Sequence, residues 1–240
     1  MAALKRAGHH AARVLQRMLA ALEPGITTLE LDQLGERLMQ RAGVRSAPRL
    51  AYNFPGATCI SINEEIAHGI PSARVIRAGD VVNVDVSVEL DGFYADTGGT
   101  RVVPPSTEQK DSVCRTARQA LRAALQVARA GARLNSIGAA IERTAVANGL
   151  RVVETLGSHG IGRRLHEAPG FIAGYADPRD RRVLKPGMVI TIEPFISTRS
   201  RRPRLAADGW TLRGPSGNLS AQYEHTLIIT TGRPILCTSL

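Results

Sequence analysis

Residues 79–97, Gly-Asp-Val-Val-Asn-Val-Asp-Val-Ser-Val-Glu-Leu-Asp-Gly-Phe-Tyr-Ala-Asp-Thr, decide the fold of this chain. Valine occupies every second position over 82–88, and this period of two in β-branched residues predicts a strand with one buried face. The dipeptide Asp91-Gly92 supplies the positive φ angles of a two-residue hairpin turn. A turn at that place would set Ser87 opposite Asp96. The stretch therefore predicts an antiparallel ribbon with a defined register.

Two acids of this ribbon lie on the face that the valines leave free. In the predicted register Asp85 and Asp96 are diagonal cross-strand neighbours, about 7–8 Å apart at the backbone. Two such carboxylates repel each other and are costly to bury, so a positive group should lie between them. The alternative for this stretch alone is the solvated outer face of an antiparallel sheet.

The composition favours a globular protein that does not enter membranes. Of 240 residues, 43% are hydrophobic and 22% are charged, which is typical of soluble domains. No apolar run approaches the roughly 20 residues of a membrane span. The three cysteines, Cys59, Cys114 and Cys237, form no close pair. This spacing argues against a disulfide framework or a zinc finger and predicts a reducing, cytoplasmic location.

The chain carries a net charge of +10 and has a pI near 10.5. Arginines cluster at 179–182 and 199–204, and a basic field of this kind favours polyanions such as ribosomal RNA. The alternative is a scattered basic surface facing solvent. Aromatic residues make up only 4% of the chain, so we predict no stacking platform for single-stranded nucleic acid.

The chain follows the same order of elements twice. In the first half we predict a helix over 3–22, a helix from Thr28 to Gly43, a loop over 44–57 and a short strand over 58–63, before the ribbon. Pro104-Pro105 then interrupts the chain, and helices are predicted again over 107–130 and 134–147. The spacing from Gly79 to Asp85 recurs from Gly187 to Glu193.

This duplication predicts an α+β fold with two pseudo-symmetric halves. Two antiparallel ribbons would join side by side, with helices covering one face of the sheet and acids from both halves meeting on the other. We expect a single catalytic domain over 1–240, with halves of about 1–104 and 105–240.

The polar face of the predicted sheet gathers one histidine and four acids. They are Asp85, Asp96, His159, Glu193 and Glu224. Glu193 and Glu224 adjoin apolar strands, where a carboxylate is expensive unless it is paired or bound to a metal. Carboxylate and imidazole ligands suit Mn, Fe, Co or Zn, and four acids are more than one ion needs. The set therefore predicts two divalent ions that share bridging acids.

Six short motifs occur in an order that resembles a known family. They are His-Gly-Ile-Pro at 68–71, Asn-Val-Asp-Val at 83–86, Asp-Gly-Phe-Tyr-Ala-Asp-Thr at 91–97, Ser-His-Gly-Ile-Gly at 158–162, Thr-Ile-Glu-Pro at 191–194 and Ala-Gln-Tyr-Glu-His-Thr at 221–226. In this order, over nearly the whole chain, they resemble a type I methionine aminopeptidase. The resemblance implies the pita-bread fold, which is the two-fold α+β arrangement predicted above.

The resemblance also implies a role for each member of the acidic set. Asp85 would bind the second ion, and Asp96 and Glu224 would bridge both ions. His159 and Glu193 would complete the first ion's shell. A monovalent cation near Asn83 and Ser220 is a further implication of the family likeness.

Substrate-binding residues are implied by the same motifs. His68 and His166 match the two histidines that face the substrate in the family. The methionine pocket would be built from Phe54, Cys59, Leu165 and Trp210. Without the motifs, the histidines could equally be structural, Cys59 a small buried hydrophobe and Trp210 a core residue. Leu165 and Phe54 stand where relatives often carry Phe and Tyr, so the pocket departs from the family pattern.

The implied reaction is hydrolysis of the first peptide bond of nascent proteins and peptides that begin with methionine and have a small second residue. A water bridging two ions would lose its proton readily. Glu193 would take that proton and pass it to the leaving amine. His166 would hydrogen-bond the carbonyl oxygen, and His68 the peptide nitrogen.

Two other functions remain open at this stage. A relative of the Xaa-Pro aminopeptidase and prolidase class would keep all five metal ligands, although such proteins usually carry an N-terminal domain for which 240 residues leave no room. A non-catalytic binding module on the same fold would be expected to have lost ligands, whereas all five are present. A third alternative, in addition to catalysis, is a ribosome or RNA partner bound through the basic surface. We expect a monomer that acts on nascent polypeptide N-termini, with no membrane association.

Overall fold

The computed structural model describes residues 1–239, and within them the chain forms five helices and fifteen strands. The helices are α1 (Ala2–Ala20), α2 (Thr28–Ala42), α3 (Ala47–Tyr52), α4 (Glu108–Val127) and α5 (Leu134–Ala147). The strands are β1 (Arg45–Ser46), β2 (Cys59–Ile62), β3 (Glu65–Ala67), β4 (Val81–Leu90), β5 (Phe93–Val102), β6 (Arg151–Val152), β7 (Gly157–Gly160), β8 (Glu167–Ala173), β9 (Val189–Ile192), β10 (Phe195–Ser197), β11 (Arg204–Leu205), β12 (Leu212–Arg213), β13 (Ser220–Gln222), β14 (His225–Ile228) and β15 (Ile235–Leu236).

The ribbon predicted from 79–97 forms as strands β4 and β5, in the predicted register. Ser87 lies opposite Asp96. The turn residues Asp91 and Gly92 have φ angles of 52° and 77°, as the hairpin requires. The valines of β4 at 82, 84, 86 and 88 are each 0% exposed. Their alternation thus places the acids of the ribbon on the opposite face.

The second half repeats this pairing with strands β9 and β14, which set Ile192 opposite His225. Helix α1 packs on β4 and β5, and helix α4 packs on β10 and β13. Each half has its own large apolar cluster, around Val84 in the first half and Ile190 in the second. The predicted α+β arrangement is confirmed, with helices on one side of the strands.

The loop predicted over 44–57 is wrong in part, because this stretch contains strand β1 and helix α3. Pro48 occupies the first turn of α3, where its missing N–H costs nothing. Asn53 ends the helix in the left-handed conformation, with φ 55°. A six-residue helix leaves too short an apolar period to be found in the sequence. The structure also contains strand β3, which the sequence analysis did not predict.

None of the helices within residues 1–239 has both the length and the apolar character needed to cross a membrane.

The segment that joins α3 to β2 is held by one buried carboxylate. Asp32 of α2 is 2% exposed. It accepts hydrogen bonds from the backbone N–H of Ala57 at 3.0 Å and of Thr58 at 2.8 Å, and from the Thr58 hydroxyl at 2.7 Å. Because Phe54 and Cys59 flank this segment, Asp32 also fixes two residues of the predicted methionine pocket.

Replacing Asp32 with alanine should lower the free energy of unfolding by about 3 kcal/mol, because three donors lose a buried acceptor that carries charge. Urea denaturation followed by circular dichroism measures this change. Glu108→Ala, which removes an exposed ion pair with Arg115, is the control and should cost less than about 1 kcal/mol. Equal costs for the two variants would contradict the anchoring role of Asp32.

Candidate active site

Acids and one histidine from both halves converge on the face of the strands that the helices leave open. Asp96 of β5, His159 of β7 and Glu224, which lies between β13 and β14, each offer a ligand atom within 4.8 Å of the others. The Nε2 atom of His159 lies 3.9 Å from Asp96 Oδ2 and 3.3 Å from Glu193 Oε1. The first half thus supplies one member of this group, and the second half supplies the rest.

Asp85 of β4 joins the group from the first half. Asp85 lies two positions along β4 from Ser87, the residue opposite Asp96, and its carboxyl group interacts electrostatically with that of Asp96. Burial raises the pKa of Asp85 well above its usual range, and the charges of Asp96 and Glu193 raise it further. The structure therefore brings together all five residues that the sequence predicted as ligands, although their roles as ligands remain predictions.

Burial dominates the electrostatics of the cluster. It raises the pKa of Glu193 and of Glu224 well above the usual range, with a second contribution from the charge of Asp96. Burial lowers the pKa of His159 to about 4, so this imidazole is neutral at pH 7. No lysine or arginine among the described residues lies within 4.0 Å of these four carboxylates. Their negative charge thus has no cationic side chain to balance it.

One oxygen of the cluster has no hydrogen-bond partner. Glu224 is 2% exposed, and its Oε1 atom is buried without a donor within residues 1–239. A buried acceptor without a donor is destabilising unless something else binds it. Carboxylate oxygens and a neutral imidazole nitrogen are the ligands that divalent first-row ions prefer. The donor set and the orphaned oxygen both fit a divalent metal centre.

Hydroxyl groups next to the acids hold their orientations. Thr191 Oγ1 donates to Glu193 Oε1 at 2.9 Å and accepts from the backbone N–H of His159 at 3.1 Å. Ser87 Oγ donates to Asp96 Oδ1 at 2.8 Å. The sequence analysis missed Thr191 and Ser87. Thr191 lies two positions before Glu193, and Ser87 lies opposite Asp96. Strand alternation and the predicted register would therefore have been enough to identify both residues.

The two predicted substrate histidines lie beside the cluster. The ring of His166 is 4.0 Å from the ring of His159 between centroids. Its pKa is lowered to about 4 by burial and then by His159. Burial and then His166 lower the pKa of His68, whose backbone is held in the left-handed conformation at φ 56°. Both histidines are therefore neutral at pH 7 and free to act as hydrogen-bond partners.

A tyrosine that the sequence analysis missed contacts one of them. The hydroxyl of Tyr52 lies 2.6 Å from His166 Nδ1. Tyr52 is the last residue of α3, the helix that was predicted as loop. No periodicity marks it, so its contact with a residue 114 positions away is visible only in the folded chain.

The predicted methionine pocket is assembled in part. The rings of Phe54 and Trp210 meet edge to face with centroids 5.1 Å apart. Cys59 of β2 lies directly opposite Asp85 of β4. Leu165 is 4% exposed, in a separate cluster with two other buried residues, Ala47 and Ile161.

The predicted cation residues Asn83 and Ser220 lie in the sheets near the cluster. The side-chain amide of Asn83 donates to Thr100 Oγ1 at 3.1 Å and to Gln222 Oε1 at 2.9 Å. Ser220 lies opposite Ser197 in the pairing of β13 with β10. A monovalent cation at these two residues stays a prediction.

Residues 2–231 match the family model described as Metallopeptidase family M24. The chain belongs to this family. The Bacillus subtilis protein named Methionine aminopeptidase 2 is 45% identical over 238 residues, which cover 99% of this chain and 96% of the relative. The crystal structure of a methionine aminopeptidase from Thermotoga maritima has a TM-score of 0.95 at 32% identity, covering 100% of this chain and 96% of that chain.

A prolidase from Pyrococcus furiosus is also similar in structure to this chain. Its structure has a TM-score of 0.79 at 23% identity, and the match covers 100% of this chain but 63% of that chain. This match shows a shared fold alone. The resemblance to methionine aminopeptidases and the pita-bread fold predicted from the sequence are both confirmed.

Without a bound metal ion, the buried carboxylates of the site should destabilise the folded protein. Since the folded-state pKa of Glu224 is raised, its contribution to stability is present at low pH and is lost as the pH rises above the unfolded value of about 4.3. Glu224→Gln should therefore stabilise the chelator-treated protein at pH 8 by about 1–3 kcal/mol, and by less at pH 6.

Thermal unfolding of both proteins in chelator at pH 6 and pH 8 measures the effect. Added Mn²⁺ provides the matched comparison, since the wild-type protein should gain more stability from it than the variant does. A wild-type protein that is the more stable of the two at pH 8 in chelator would contradict the stated charge balance.

Proposed function

We propose that this metallopeptidase hydrolyses the first peptide bond of polypeptides that begin with methionine and have a small second residue. The observation that carries the proposal is the meeting of Asp96, His159 and Glu224 within 4.8 Å, beside Glu193 and an unpartnered carboxylate oxygen. The relatives named methionine aminopeptidase, which match over nearly the full chain, support this substrate over others.

The predicted ligands would hold two divalent ions, each of them Co, Mn, Fe or Zn. Asp85, Asp96, His159, Glu193 and Glu224 provide carboxylate oxygens and one neutral imidazole nitrogen, which suit these ions. Divalent ions bound there would lower the pKa of a water molecule and polarise the scissile carbonyl.

Glu193 is the residue that we assign to proton transfer. Its Oε1 atom is engaged by the Thr191 hydroxyl and lies beside His159, which leaves Oε2 to receive a proton from the attacking water. Burial raises the pKa of Glu193, which favours its acting as a base toward the water and then as an acid toward the leaving amine.

The two neutral histidines would bind the substrate around the scissile bond. If the Tyr52 hydroxyl donates to His166 Nδ1, the proton of this imidazole resides on Nε2, the atom that would hydrogen-bond the carbonyl oxygen. His68 would hydrogen-bond the peptide nitrogen. The edge-to-face pair of Phe54 and Trp210 would line the pocket for an unbranched apolar side chain, with Cys59 and Leu165 completing it.

We place this activity on nascent chains in the cytoplasm. The three cysteines are free in the structure, which agrees with a reducing compartment. The two alternatives are less well supported. The prolidase likeness is one of fold alone, and a non-catalytic module would have no use for the five preserved ligand candidates.

The protein should release methionine from Met-Ala-Ser in the presence of a divalent ion, and should not cleave Xaa-Pro peptides. Mass spectrometry of peptide products against a panel of Mn, Fe, Co and Zn measures this. Asp96→Asn is expected to lose bound metal and activity together, because it removes the carboxylate assigned to bridge both ions. Full turnover by that variant would contradict the two-ion scheme, and cleavage of Xaa-Pro peptides alone would favour the prolidase alternative.

We further propose that the basic hairpin formed by β11 and β12 contacts ribosomal RNA. Arg204 and Arg213 lie directly opposite each other in this hairpin, and like charges in that position are destabilising. Both residues are exposed, and within residues 1–239 neither has an acidic partner within 4.0 Å. A phosphate backbone would relieve the repulsion between them.

The double variant Arg204→Glu with Arg213→Glu should lower co-sedimentation with ribosomes at low salt at least tenfold, since phosphate contacts dominate such binding. Arg37→Glu with Arg41→Glu on α2 makes the same charge change elsewhere and should have little effect. Equal losses in the two double variants would mean that net charge alone is responsible. Sedimentation velocity of the free protein tests the expected monomer in the same preparations.

A further inference from the structure

The two carboxylate oxygens of Glu224 have different surroundings. Oε2 accepts a hydrogen bond of 3.0 Å from the side-chain amide of Gln222, whereas Oε1 has no partner within the described chain. Gln222 is 1% exposed and Glu224 is 2% exposed. Water is therefore excluded from this contact, and the amide is a fixed donor to one oxygen only.

The amide of Gln222 is itself held by the other half of the chain. Asn83 of β4 donates from Nδ2 to Gln222 Oε1 at 2.9 Å. Thr100 Oγ1 donates to the backbone carbonyl of Gln222 at 2.9 Å and accepts from its N–H at 3.0 Å. Asn83 and Thr100 lie opposite each other in the ribbon. Both the backbone and the side chain of Gln222 are thus fixed by one cross-strand pair.

The chemistry of these groups determines which atom donates and which atom accepts in each contact. A carboxylate that binds a metal ion is ionised and can only accept, so in the metal-bound protein the NH₂ group of Gln222 must face Glu224 and its carbonyl must face Asn83. The NH₂ group of Asn83 then donates to this carbonyl. If the side-chain amide of Gln222 were turned over, its oxygen would face the carboxylate of Glu224 and the two groups would repel each other.

The backbone next to this contact leaves space for the amide. A Cβ atom at Gly98 of β5 would lie 2.2 Å from Gln222 Oε1, so a larger residue at this position would displace the end of the Gln222 side chain. The Glu224 N–H donates to the carbonyl of Gly98 at 3.0 Å. Glycine at this position therefore lets β5 bind the backbone of Glu224 while the side chain of Gln222 passes over it.

We infer that Gln222 is a positioning residue for the metal centre: the Asn83–Gln222–Glu224 relay fixes Oε2 of Glu224 and leaves Oε1, which has no donor within residues 1–239, available to a metal ion. The inference rests on the proposed function, because it takes Glu224 as a metal ligand. It adds that a residue of the first half, Asn83, controls the orientation of a ligand in the second half. The two halves would then be coupled through hydrogen bonds as well as through the ions.

The test measures Mn²⁺ affinity directly, by calorimetric titration of chelator-treated protein. Gln222→Met keeps the side-chain length and removes the donor, and should raise the Kd for Mn²⁺ about 10–100-fold, the usual loss when a group that orients a ligand is removed. Asn83→Asp keeps the shape but replaces the donor by an acceptor, which would turn the Gln222 amide over, and should raise the Kd by a similar factor.

The double variant Asn83→Asp with Gln222→Met should bind Mn²⁺ no more weakly than Gln222→Met, since Asn83 acts through Gln222. Additive losses in the double variant would overturn the relay. Gln119→Met, at an exposed position of α4, is the matched control and should retain the wild-type Kd. A purely structural role would lower the unfolding temperature of the metal-free variants and leave the Kd unchanged, which also overturns the inference.

Glu224→Gln separates the failure of the inference from that of the proposed function. If Glu224→Gln loses Mn²⁺ binding while Gln222→Met and Asn83→Asp keep the wild-type Kd, the relay is wrong and Glu224 remains a ligand. If Glu224→Gln itself keeps the wild-type Kd, the ligand set fails, and the relay fails with it.

Discussion

Carboxylates from two halves of the chain face one another in a buried site, and within residues 1–239 no basic side chain lies between them. Burying even one unpaired carboxylate costs several kcal/mol. The fold must therefore hold these groups together against their repulsion, through contacts made elsewhere. The two large apolar clusters, one centred in each half, supply that stabilising contribution.

Strands can carry both the stabilising apolar residues and the acids of the site, because successive side chains of a strand point to opposite faces. The valines of β4 at 82, 84, 86 and 88 face the helices, and the residues between them face the site. Asp85 and Asp96 are thus held by the pairing of β4 with β5, and three of the four acids have a side-chain oxygen bound by a neighbouring hydroxyl or amide. Ser87, Thr191 and Gln222 each donate to one acid. Hydrogen bonds of this kind favour the ionised form of a carboxylate and so oppose the effect of burial on its pKa.

The ribbon and its acids could be predicted from the sequence because the information is local. Asp91-Gly92 defines a turn, the turn defines the register, and the register places Asp85 near Asp96. Tyr52 and Gln222 could not be found in that way. Tyr52 depends on a six-residue helix whose start and end are set by Pro48 and Asn53, and a helix of that length has no usable period. Gln222 lies within a motif that the sequence analysis quoted, yet its contact with Asn83 joins strands of different halves. Period and spacing describe neighbours along one strand pair, and they carry no information on how two such pairs meet.

The departures from two-fold symmetry are as informative as the symmetry. In the first half, β4 and β5 are joined by the two residues Asp91 and Gly92. In the second half, the chain between β10 and β13 includes the hairpin of β11 and β12, which pairs with β3 of the first half. Trp210 lies in the loop of this hairpin and contacts Phe54, while Arg204 and Arg213 lie on its strands. The duplicated core supplies the groups that suit metal ions, which need ligands from both sides. The unduplicated hairpin supplies an aromatic and a basic surface on one side only, and a substrate or partner that approaches an open cleft also meets the protein from one side. The hairpin is therefore present on one side only, because a substrate or partner approaches from one side. The core is two-fold because a cation needs ligands on both sides.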